Sequence, residues 1–142
     1  MKEYSLAIGE REITIKPDEF AEQAGGSIMI RCGETMVLSA ATMSREKREG
    51  LDFLPLTVDF EEKSYAAGKI LGSRYSKREG RPSEMAVITS RLIDRCLRPL
   101  FPDELKGREV QVVSTCLSWD AINDADILGL VSSSAALMIS DI

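Results

Sequence analysis

Residues 81–102 read RPSEMAVITSRLIDRCLRPLFP, and the rest of the chain arranges itself around this stretch. Ser83 suits an N-cap, because its hydroxyl can accept a hydrogen bond from an otherwise orphaned helix N–H. Glu84 in the first turn complements the positive end of the helix dipole. Pro99 lacks a backbone N–H and biases the residue before it away from helical geometry, so a helix is predicted over about Ser83–Leu97. At about 100° per residue, Ile88, Leu92 and Cys96 share a stripe with Met85 close to it, and that stripe is expected to seat in the core. Arg91, Arg95 and Arg98 fall within roughly 60° of one another on the other flank.

Working outward, Glu109–Trp119 (EVQVVSTCLSW) is rich in β-branched residues and predicts a strand. Asp124 begins a second predicted helix with Ile127, Leu130, Val131 and Leu137 as its apolar contacts. The small residues Ser132–Ala136 within it allow close approach to a sheet; a serine nucleophile is the sharper alternative. Upstream, Leu54, Leu56, Val58 and Phe60 alternate onto one face of a strand. Two hairpins precede it: Glu3–Ile8 with Arg11–Lys16 around Gly9-Glu10, and Ser27–Cys32 with Thr35–Ala41 around Gly33-Glu34. Ser44–Gly50 (SREKREG) is a charged loop. Over Ser64–Gly80 no period holds, which predicts a long loop, and loops above about 12–15 residues are usually functional or disordered. Two hairpins followed by β, α, β and α predict an α+β architecture, a mixed sheet with helices packed on it.

The chain has 142 residues, about one domain's worth, and 44% hydrophobic with 29% charged residues is the balance of a globular protein. No apolar run approaches the roughly 18 residues of a membrane span, and no membrane partner is expected. The start, MKEYSLAIGERE, lacks an apolar signal core, so secretion is not expected. Cys32, Cys96 and Cys116 are odd in number and widely spaced, and each has apolar neighbours. They read as buried free thiols in a cytoplasmic setting. Histidine is absent, which removes Ser-His-Asp and Cys-His catalysis in cis and His-containing zinc sites. GKILGS lacks the order of a phosphate-binding P-loop, and no GxGxxG, HExxH or CxxC occurs.

Charge is unevenly spread. Lys69–Arg98 holds eight basic and three acidic residues, a local +5 in a chain of net −5, so the remainder carries −10. Arginine suits phosphate because its planar fork donates paired hydrogen bonds and keeps its charge. The loop before the helix adds Arg74, Lys77, Arg78 and Arg81 around a single aromatic, Tyr75. A charged track with a flat ring beside it is what single-stranded nucleic acid needs. Tyr75 reads equally as a half-buried anchor for the loop, and the whole run as a solvated face. Acidic pairs such as Asp18-Glu19 and Glu61-Glu62 read as solvated surface, so no metal site is assigned.

Taken together, YAAGKI, REGRPSE and SRLIDRCLRPLFP resemble the first core domain of the polynucleotide phosphorylases, within the RNase PH-like phosphorolytic exoribonuclease family. GGSIMIRCGETMVLSAA and LDFLPLTVDFEEKSYAAG upstream, and DADILGLVSSSAALMIS downstream, extend the likeness over essentially the whole chain. The resemblance implies the RNase PH-like, ribosomal protein S5 domain 2-like fold. Residues 1–142 would form the N-terminal part of the first such domain, truncated, with no second domain in the chain. It further implies a trimeric enzyme that degrades single-stranded RNA and mRNA from the 3′ end with inorganic phosphate, releasing nucleoside diphosphates. Mg²⁺ would assist, and other RNA-degradation machinery would be further partners. The family associates the phosphate and Mg²⁺ site with its second core domain, so no catalytic residue is assigned here, and none of these groups is expected bound to this piece alone. Carried over residue by residue, the RNA-binding positions are Tyr75, Lys77, Arg78 and Arg81 in the loop and Arg91, Arg95 and Arg98 on the helix. The family's loop often has two adjacent aromatics; here Tyr75 is followed by Ser76 and Arg74 is extra, which would weaken or shift a stacked constriction. A non-catalytic RNA-binding or ring-scaffold subunit on the same fold is the alternative reading.

Overall fold

The computed structural model describes residues 2–70 and 80–142. Tyr75, Lys77 and Arg78 lie outside the described residues. Six strands form one sheet: β1 (Tyr4–Ile8), β2 (Arg11–Pro17), β3 (Gly26–Cys32), β4 (Thr35–Met43), β5 (Leu56–Glu62) and β6 (Val110–Ser118), in the order β1-β2-β3-β4-β6-β5. Neighbours pair antiparallel except β5 and β6, which run parallel from Leu56 opposite Val110 to Glu62 opposite Cys116. A parallel pair needs a crossover, and α1 (Glu84–Leu97) lies within that connection. The second helix, α2 (Ala125–Ile139), follows β6. Both predicted hairpins form, with Gly9 and Gly33 at φ of +62° and +60°, where a side chain would be strained.

One face of the sheet carries the core. Ile30, Val37, Val110 and Val112 are fully buried, and Ile93 of α1 reaches them from the helical layer. On this face α2 packs over β3, β4 and β6, while α1 packs over β5. Small residues of both α2 and β3 let the helix sink: a Cβ at Gly129 would come within 2.7 Å of the Phe60 ring, and one at Gly26 of β3 would collide with the Ala136 carbonyl oxygen. Four buried serine hydroxyls lie between helix and sheet. Ser39 Oγ is 2.7 Å from Ser114 Oγ and 2.6 Å from Ser132 Oγ, and Ser114 Oγ is 2.7 Å from Ser133 Oγ. Ser132 and Ser133 also donate to the Gly129 carbonyl at 3.1 and 2.6 Å. A buried hydroxyl must find partners. These find one another, and the segment is a packing device with no exposed nucleophile.

Asp120 ties the β3–β4 turn to the start of α2. Its carboxylate accepts from the backbone N–H of Asn123 and of Ile122 (both 2.8 Å), from Asn123 Nδ2 (2.7 Å) and from Thr35 Oγ1 (2.9 Å). The Asn123 N–H leads these donors in holding the Asp120 carboxyl well below the usual carboxylate range, against the opposing effect of desolvation.

Several expectations are corrected. The inner face of α2 is Leu128, Gly129, Ser132, Ser133 and Ala136, so Ile127 and Val131 point outward instead of into the core. Small residues, not the largest apolar ones, meet the sheet because the helix lies so close to it. Cys96 is exposed, while Cys32 and Cys116 are buried. Burial, and then the Glu62 charge, push the Cys116 thiol up, and its Sγ donates to the Ser118 carbonyl at 3.5 Å. In β1, Tyr4, Leu6 and Ile8 share a face but stay exposed, because β1 is the far edge strand and neither helix packs on it. Within the predicted loop, Ser64–Ala67 form a 3₁₀ turn, docked to the end of β6 by Trp119 N–H donating to Ala66 O at 3.0 Å.

Candidate nucleic-acid interface

The predicted cap of α1 is present. Ser83 Oγ accepts from Ala86 N–H at 3.0 Å and donates to a Glu62 carboxylate oxygen at 2.5 Å, so one hydroxyl starts the helix and ties it to the end of β5. An N-cap of this kind contributes about 1 kcal/mol. The helix stands on Ala86, Thr89, Ile93 and Leu97, all buried. The predicted inner stripe is therefore displaced. Met85, Ile88 and Leu92 are 62%, 60% and 42% exposed, and Cys96 is exposed beside them. α1 rests over β5 at the sheet edge on a narrow line of contact, and the neighbouring apolar stripe has nothing above it among the described residues.

The three helix arginines do not share one role. Arg98 follows the last turn and its guanidinium folds back onto the sheet: Nη1 donates to Leu54 O at 3.3 Å, Nη2 donates to Leu56 O at 3.2 Å, and Nη2 lies 2.7 Å from Asp94 Oδ1. It pins the end of α1 to the start of β5. Arg91 and Arg95 are exposed, one turn apart, on the side of α1 away from the sheet. Neither makes an ion pair or hydrogen bond among the described residues. Asp94, the acid nearest to them on the helix, is committed to Arg98. Arg81 is likewise exposed and unpaired among the described residues, but it precedes the N-cap. At 1.5 Å or more per residue it stands roughly 20 Å or more from Arg95. The structure thus brings Arg91 and Arg95 together as free cations, sets Arg81 at the far end of the same helix, and gives Arg98 to the fold.

An arginine pair of this kind can donate paired hydrogen bonds to adjacent phosphates, and the exposed Ile88 and Leu92 beside it offer an apolar surface. Among the described residues no three His, Cys, Asp or Glu side chains gather as metal ligands. No site on these residues is assigned to the Mg²⁺ that the resemblance implies, and no step is drawn through it. No helix among them is long and apolar enough to cross a membrane.

Residues 9–142 match the family described as the 3′ exoribonuclease family, domain 1. The chain belongs to that family. Its relatives include the polyribonucleotide nucleotidyltransferases of Roseiflexus castenholzii, 51% identical over 97% of this chain, and of Heliobacterium modesticaldum, 51% identical over all of it. That of Herpetosiphon aurantiacus is 53% identical over 97%. The match covers only 18–20% of those relatives, so this 3′ exoribonuclease domain spans about a fifth of their length. A solved structure described as the Archaeoglobus fulgidus exosome with RNA bound to the active site superposes on 92% of this chain and 52% of that one. With a TM-score of 0.71 and 21% identity, it confirms the α+β RNase PH fold.

Proposed function

We propose that this domain serves a phosphate-dependent 3′-to-5′ exoribonuclease by guiding single-stranded RNA along the outer face of α1. Arg91 and Arg95 grip consecutive phosphates, and Arg81 meets the strand at the other end of the helix, joined by Tyr75, Lys77 and Arg78 from the preceding segment. The single observation that carries this reading is the pair of exposed arginines left without counter-charge among the described residues while Asp94 is taken by Arg98. Membership of a 3′ exoribonuclease family and kinship with polyribonucleotide nucleotidyltransferases support it.

In the reaction, an oxygen of inorganic phosphate attacks the phosphorus of the terminal phosphodiester in line with the departing 3′ oxygen. The P–O3′ bond breaks, releasing a nucleoside diphosphate and a strand one residue shorter with a free 3′ hydroxyl; the reverse reaction extends the strand. Such a step is dominated by positioning and neutralisation of charge. A strand held by its phosphates on α1 supplies positioning. The chemistry, with Mg²⁺, belongs to residues elsewhere in the enzyme, and the 142 residues alone carry out no turnover. The exposed strips Met85–Ile88–Leu92 and Ile127–Val131–Met138 support ring contacts in a homotrimer of a cytoplasmic enzyme.

Filter retention of a labelled oligoribonucleotide across a salt series tests the RNA-binding role. For single strands the logarithm of affinity should fall with the logarithm of salt, by about 0.7 per phosphate contacted. Retention that is absent at low salt, or insensitive to salt, contradicts the reading.

A further inference from the structure

A second group of unpaired cations lies away from α1, around the charged SREKREG loop. A groove of about 350 Å³ opens where β4 ends and β6 is about to begin, lined among others by Gly25, Thr42, Ser44, Arg45, Arg108 and Asp141. Two other basic residues nearby are matched: Arg48 Nη2 lies 3.0 Å from Glu109 Oε2, and Lys106 Nζ lies 2.8 Å from Asp103 Oδ1. Arg45 and the partly buried Arg108 make no ion pair or side-chain hydrogen bond among the described residues.

Their backbones are held in place. Ser44 N–H donates to Glu109 O at 2.8 Å, Glu109 N–H donates to Ser44 Oγ at 3.0 Å, and Arg48 N–H donates to Gly107 O at 2.8 Å. These bonds stitch the segment carrying Arg45 to the segment carrying Arg108. The opposite wall is kept low by Gly25, where a Cβ would lie 3.1 Å from Asp141 Oδ1 and 3.3 Å from Ala41 O. The groove therefore offers two guanidinium forks and the Thr42 hydroxyl to an anion, and one carboxylate to a hydroxyl donor. A phosphate alone leaves the Asp141 carboxylate facing like charge; a sugar hydroxyl attached to the phosphate gives it a partner.

We propose that this groove binds a ribose-phosphate unit, with Arg45 and Arg108 on the phosphate and Asp141 accepting from a ribose hydroxyl. The choice of a ribonucleotide over another phosphorylated sugar rests on the function proposed above. Such a unit comes either from a free nucleoside diphosphate or from an RNA strand.

Amide-resolved NMR titration with ADP, adenosine, inorganic phosphate and a short oligoribonucleotide tests the assignment. ADP should shift the amides of Gly25, Thr42 and Arg108, and adenosine should not. Arg45→Gln and Arg108→Gln should each weaken ADP by about tenfold, the effect of one charge-assisted hydrogen bond. Asp141→Asn should weaken ADP more than inorganic phosphate. Competition between the oligoribonucleotide and ADP for the same amides identifies a strand as the source, and ADP shifts without competition identify the free nucleotide. ADP at millimolar concentration leaving these amides unmoved, or binding undiminished by Arg45→Gln and Arg108→Gln together in a protein with an unchanged thermal melt, overturns the proposal. Filter retention of RNA by an Arg91→Gln, Arg95→Gln variant reads the α1 interface separately, so either site can fail while the other stands.

Discussion

The two helices lie on one face of one sheet and use their residues in opposite ways. α2 lies deep, with glycine and serine at its contact with β3, β4 and β6, and its hydroxyls satisfy one another in the interior. α1 stands on four residues at the β5 edge and leaves its arginines and a strip of apolar residues outside. Close packing commits the inner face of α2 to structure. The narrow seat of α1 leaves most of its circumference available to a ligand, so the binding surface belongs to the helix with the smaller share of the core.

This contrast can be broken by substitutions on either side. The largest effect is expected at the seat of α1, where Ile93→Ala should cost about 3 kcal/mol in urea unfolding, as for other fully buried large-to-small changes. Leu92→Ala, one residue away on the exposed strip, should cost far less; equal losses would show that the inner face is misassigned. Next, Gly26→Ala should destabilise by about 2 kcal/mol, because the added methyl meets the backbone of α2 at Ala136 rather than a movable side chain. A neutral result there would mean that α2 does not approach β3 so closely.

A smaller, pH-dependent effect sharpens the picture at the start of α2. The pKa of Asp120 is depressed in the folded protein, so its ionised form contributes stability that is fully present above the ordinary carboxylate value of about 3.9. That contribution is lost as pH falls from there through the folded value. Asp120→Asn should therefore lower the thermal midpoint at neutral pH, with the gap to the parent closing below about pH 4. A gap that stays constant through acid pH would mean that the charge of Asp120 is not what holds the turn.

Much of the fold was legible because its signals are local. Gly9 and Gly33 mark tight turns that need positive φ, Ser83 and Pro99 bracket α1, and alternation in β3 through β6 follows the pleat. The parallel pairing of β5 with β6 depends on contacts across some fifty residues and leaves no local trace. The seat of α1 was misread for a physical reason: apolar residues at Ile88 and Leu92 have the same period whether they face a core or the outside. The true inner line, Ala86, Thr89, Ile93 and Leu97, includes a small residue and a polar one and so carries a weaker signal. Spacing placed Arg98 in a ladder with Arg91 and Arg95, yet its partners Leu54 and Leu56 lie over forty residues away in sequence. Only the fold separates an arginine that clamps from two without a partner among the described residues.

The central claim, that Arg91 and Arg95 grip RNA while Arg98 serves the fold, is tested most directly by comparing two variants in one assay. Salt-dependent filter retention of a labelled oligoribonucleotide should lose about 1.4 from its slope in Arg91→Gln with Arg95→Gln, at 0.7 per phosphate contact, with stability within about 0.5 kcal/mol of the parent. Arg98→Gln should instead lower stability and leave the slope of the folded protein intact. An unchanged slope in the double variant, or a slope lost only with Arg98, would contradict the account.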